Sequence, residues 1–174
     1  MERKYELTKE VIIHNHHILH RIRALKDFND VREGDLGGYI ESEDNLSQYG
    51  EAWVYDNAKV YHNAYVGGFA RISGNAEVFD SAKVAGHAEI FDSAEVYENG
   101  KITGHAVIFD HASVHGKSLI RENSSVGGYA DVSGNVLLEQ NIYIIGNSKI
   151  SGNIHLSGNE IIDDLYIHYS EKIN

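Results

Sequence analysis

Neither cysteine nor proline occurs in this chain of 174 residues. Without cysteine there is no disulfide stapling, no thiolate nucleophile and no Cys-type zinc site, and nothing demands an oxidising compartment. The lack of proline is odder, because the chain carries 17 glycines and loop-connected domains ordinarily turn with both residues. Something repetitive must turn it instead. Positive charge is also scarce. Fifteen Lys and Arg against 26 Asp and Glu leave a formal charge of −11, and with no visible basic cluster this argues against direct binding to nucleic acid or to an anionic membrane. The opening MERKYELTKE has no apolar leader core, and no later run approaches a membrane span. A soluble, cytoplasmic protein with no membrane partner is therefore expected.

What is present is a repeat. An aliphatic residue falls at every sixth position from Val54 to Ile162, through Val60, Val66, Ile72, Val78, Val84, Ile90 and onward without a skip. Four positions after most of these sits a small residue, such as Ala58, Ala64, Ala88, Ala106, Ser118 or Ser124. In Ala88-Glu89-Ile90 the small and aliphatic residues point to one side of a short strand and the charged residue to the other. Gly, Asp, Asn, Ser or His then follow, as in Phe91-Asp92-Ser93, which is tight-corner chemistry. A strand of three residues buries nothing alone, so successive units must wind and stack into a solenoid.

The repeat resembles the hexapeptide-repeat, left-handed parallel β-helix family over residues 52 to about 162. The resemblance implies an all-β fold in which three hexads close one triangular coil. About six coils would give a prism on the order of 29 Å long. The expected organisation is a β-rich N-terminal cap over 1–51, the β-helix over 52–162 and a C-terminal cap or tail over 163–174. Within the cap, Tyr5 to Leu7, Val11 to His14 and Ile18 to Ala24 read as strands with a turn near Asn15, although HILHRIRALKDF is also compatible with a short helix. Val136, Ile142 and Ile154 replace the small residue, so the last coils should broaden to avoid overpacking. The segment RIRALKDFNDVREGDLGGYIESEDNLS, running into WVYDNAKVY, is similar to the front module of bacterial and prophage-carried β-helix proteins labelled as transferases. That label follows the fold, and a fold does not fix function.

Stacking places residues 18 apart above one another, so columns can be read directly. One corner column runs Phe69, His87, His105, Asn123, Asn141, Asn159. The resemblance to hexapeptide acyltransferases makes His87 or His105 an alternative catalytic base with acetyl-CoA as donor. A structural ladder is the favoured reading, because Asn occupies the same position in other units. Two absences weigh against catalysis: no loop interrupts the hexads, and the Pro-containing coenzyme-binding segment of those enzymes has no counterpart. The trimeric β-helix carbonic anhydrases would need three converging His, and His87, His105, His111 and His115 show no matching spacing. HNHHILH holds His14, His16, His17 and His20, but adjacent strand positions point oppositely, so a solvated turn and no metal site are expected. Outward columns stack Tyr61, Phe79, Tyr97 and His115, and beside them Tyr55, Ser73, Phe91 and Phe109. Tyr61, Phe79, Tyr97, Phe91 and Phe109 are therefore the expected binding surface, and the fold resemblance implies a homo-oligomer, a trimer. The expected function is a non-catalytic, prophage-type binding scaffold acting on a host defence protein or a small anionic ligand. A coenzyme-A-dependent acyltransferase is the alternative.

Overall fold

The computed structural model describes residues 2–170, so the last four residues of the expected C-terminal tail lie outside the described residues. Strands β1 (Tyr5–His14) and β2 (His17–Ala24) form an antiparallel hairpin. Its turn puts Asn15 at φ 46 and His16 at φ 70, the double positive φ that suits a right-twisted hairpin. HILHRIRA is thus strand throughout, not helix: Ile22 and Ala24 bury into the main core, while Leu19 packs on the other face with Tyr39 and Tyr61. Strand β3 (Leu36–Ile40) pairs antiparallel with β2 and parallel with Lys59–Val60, which welds the hairpin's sheet to the coil.

From Trp53 onward, two-residue rungs recur every six residues and pair in parallel with the rung 18 residues away, as Glu89 pairs with Arg71 and Val107. The protein is a parallel β-solenoid of about seven turns. Coiling begins before the hexads do: Ile40 pairs with Val60, and Leu46 bridges to Val66. The aliphatic and small columns are buried as far as Ile150, with Ala88 and Ile90 both 0% exposed, while Ile154 and Leu156 are partly buried.

Every corner uses the same device. Each sixth residue from Asp56 to Asp164 has positive φ, and each is Gly, Asp, Glu, His or Gln. Proline cannot adopt that φ. It is also unwelcome beside it, since flanking amides are committed to the next coil: Phe91 N donates to Ile108 O at 3.0 Å and Ser93 N to Asp110 O at 2.8 Å. The carboxylates at these corners add a spine of their own. Asp56, Asp80, Asp92, Glu98, Asp110 and Glu122 each accept the amide 18 residues on, at 2.8 to 3.3 Å. Among the described residues no helix is long and apolar enough to cross a membrane.

Candidate functional site

The regular corner fails in the last coils. Asp131–Gln140 and Lys149–Gly158 are unbroken ten-residue strands across a corner that splits earlier coils into two-residue rungs, and they pair in register along their whole length. Val136 and Ile154 stand in the slot that Ala fills elsewhere, whereas the corner before Ile142, the third such position, still turns at Gln140, φ 67. Gly134 and Gly152 relax to φ 87 and 96 there.

The broadened corner leaves a groove of about 730 Å3. Leu119, Val136, Leu137 and Ile154 form its apolar floor, Lys101 and Lys117 supply ammonium groups, Asn99, Asn135 and Asn153 supply amides, and His155 completes the lining. A second hollow of about 660 Å3 shares Asn99, Lys117, Asn135 and Asn153, and is lined by Gly116, Gly134, Gly152 and Tyr169.

His155 is the one imidazole in this groove. Its Nε2–H donates to Glu139 Oε1 at 2.7 Å. Arg121 grips the same carboxyl through Nε, at 2.8 Å, and Nη2. The Arg121 guanidinium first, and the imidazole second, hold the Glu139 carboxyl below the usual carboxylate range. An ionised carboxylate thus fixes the ring with Nε2 protonated, which leaves Nδ1 as the acceptor. Base and orienting carboxylate in hydrogen-bond contact are the two parts a general base needs.

The other candidates lie elsewhere. His87 and His105 are exposed on the neighbouring corner, in a flat stack with Phe69 at centroid spacings of 4.6 and 4.9 Å. The column continues as an amide ladder, Asn123 to Asn141 at 3.3 Å and Asn141 to Asn159 at 2.6 Å, so its side chains bond one another instead of the turn backbone. Tyr61, Phe79, Tyr97 and His115 do stack, with planes within 7° of parallel. Tyr61, however, was expected to face outward and is 2% exposed, because the β1–β2 hairpin folds over it. Phe79 and Tyr97 are half-buried. Phe91 stacks on Phe109, whose ring lies in the space a Cβ at Gly127 would need and reaches on to Tyr143. Arg71 forms a two-armed ion pair with Asp30 of the cap. The groove's polar residues carried no motif in sequence; the only signal was the misfit Val136 and Ile154, together with Leu119 and Leu137 in outward positions of one column.

The hexad register and coil geometry fit the hexapeptide-repeat β-helix family. No protein-family model matches the chain. It is similar to the protein named "Uncharacterized acetyltransferase YdcK" of Escherichia coli (strain K12), with 38% identity over 81 residues, covering 41% of this chain and 25% of that protein. The chain thus spans about a quarter of the length of that relative.

Proposed function

We propose that the protein is a coenzyme-A-dependent acyltransferase whose donor lies in the opened corner and whose base is His155. The observation that carries this reading is a carboxylate-held imidazole lining an apolar, amine-rimmed groove. A coenzyme-A thioester is a long amide-bearing arm ending in phosphates. The leucine floor and the Asn amides suit its arm, and Lys101 and Lys117 suit its phosphates. His155 Nδ1 takes the proton of an acceptor hydroxyl or amine as that group attacks the thioester carbonyl. The C–S bond then breaks and the thiolate leaves. The name of the E. coli relative, an acetyltransferase, supports the same class of reaction. The non-catalytic scaffold reading keeps one observation in its favour, namely that rungs from Trp53 to Val126 run with no inserted loop. As the assembly we propose a trimer, prism beside prism, with Phe79 and Tyr97 at its contacts.

One experiment separates the readings. Calorimetry with acetyl-CoA should show saturable binding, and thiol release should accelerate when a panel of amino and hydroxyl acceptors is added. His155→Gln should lower kcat by about 100-fold or more while leaving donor affinity nearly unchanged. Absence of saturable acetyl-CoA binding by the wild type sinks the acyltransferase and leaves the scaffold.

A further inference from the structure

The hairpin tip holds a second pair of imidazoles that acyl transfer does not use. His17 begins β2, and His62 occupies a corner of the first coil at φ 55. Their Nε2 atoms face one another at 2.8 Å, with the rings 89° apart. Each ring is held from behind by a carboxylate. His17 Nδ1–H donates to Glu41 Oε1 at 3.0 Å, and His62 Nδ1–H donates to Asp80 Oδ1 at 3.1 Å. Glu41 Oε2 also accepts the His62 backbone N–H at 2.7 Å, so one carboxylate positions both histidines. The buried Tyr61 ring packs beside the two, at centroid distances of 5.7 and 5.2 Å.

Ionised carboxylates only accept hydrogen bonds, so both Nδ1 atoms carry a proton, and two neutral rings would bring their Nε2 lone pairs together on one side of the 2.8 Å gap. Lone pairs at this distance repel unless a shared proton or a metal cation bridges them. We propose that His17 and His62 form a two-imidazole binding site for a divalent cation of tetragonal preference, copper(II) or nickel(II). An ion about 2.0 to 2.1 Å from each nitrogen would see two nitrogens 2.8 Å apart at close to a right angle. A tetrahedral ion would spread them to about 3.3 Å. The right angle is the cis arrangement of square-planar and octahedral sites, and imidazole suits both metals. Carboxylates behind metal-bound imidazoles fix the tautomer and raise ligand basicity, which is the work Glu41 and Asp80 already do. The two rings are partly open, with side chains 27% and 35% exposed, so water completes the shell. Among the described residues no cluster of three or more His, Cys, Asp or Glu is poised around one metal point, so the site is a two-ligand chelate. HNHHILH turns at Asn15 and His16, and the partner of His17 comes from the coil and not from its own run.

The test titrates the full chain with CuCl2, NiCl2 and ZnCl2 by calorimetry, with electron paramagnetic resonance for copper. One copper or nickel per chain is expected, copper binding tighter than nickel, with two nitrogen donors in the copper spectrum and a raised melting temperature in the presence of metal. His17→Gln and His62→Asn should each weaken binding about tenfold or more, while His16→Gln should leave it unchanged. Asn tolerates the left-handed corner at 62. Should circular dichroism nonetheless show that variant unfolded, His17→Gln decides alone. Binding unaltered by the variants, zinc binding tighter than nickel, or no saturable uptake of copper or nickel by the wild type would overturn the assignment.

Discussion

Lys4 is the residue most at odds with its surroundings. It is 1% exposed, and its Nζ donates to the Ala52 carbonyl at 2.8 Å over the ring of Phe28. Burial, reinforced by Lys26, lowers its pKa from 10.5 to about 8. Between those values the unfolded chain binds the proton that the folded chain has released, so stability rises with pH across that window. Tyr5, Tyr55 and Tyr61 act in the opposite sense. Burial raises their hydroxyls above the ordinary value of 10.0, so stability falls once the unfolded tyrosines ionise. Melting temperature should therefore climb from about pH 8 and turn over near pH 10. Lys4→Met should flatten the climb and keep the turnover. Equal slopes for the two proteins would mean that Lys4 is not the source.

At the scale of the rung, inward and outward positions carry opposite tolerances. Ala88 is fully buried against the next coils, whereas Glu89 on the same rung is exposed. Ala88→Leu should cost about 1 to 3 kcal/mol, or widen the coil, because added methylenes have no void to fill. Glu89→Leu should leave the denaturation midpoint nearly unchanged, and two midpoints that move together would refute the assigned phase. The tolerance of the last coils for Val136 and Ile154 shows the widening outcome already realised. That logic made the rungs, the inward columns and the broadened end legible from residue spacing alone, since a six-residue period leaves each side chain one orientation. The cap's hairpin was half legible: its strands alternate, yet HILHRIRALKDF carries enough helix formers to compete, and only pairing with β1 and β3 decides. The site was not legible. His155 and Glu139 are 16 residues apart, and the groove between coils exists only after the corner has opened. Tyr61 was misread for a related reason, because nothing in the hexad foretells a hairpin folding back over its first ring.

For the whole molecule, the half-buried edges of Phe79 and Tyr97 make a stripe that association would cover. Replacing both with Ser should lower the mass measured by light scattering while the β-rich circular dichroism persists; a wild type already monomeric at high micromolar concentration would refute the trimer. The strict register of 18 residues between neighbouring rungs also makes the chain a ruler with a built-in phase. Excising Lys83–Gly100, one whole coil, joins Ala82 to Lys101 with every later rung in step. The product should fold, about 4.8 Å shorter, with its cap and the groove, less Asn99, on unchanged sides of the prism. Excising six residues, Lys83–Ala88, keeps the alternation of small and aliphatic residues but advances everything beyond it by one face. The groove would then sit a third of a turn around from the hairpin clasp. Length and angular placement are thus set separately, by whole coils and by single hexads, so segments can be added or lost without redesigning the core.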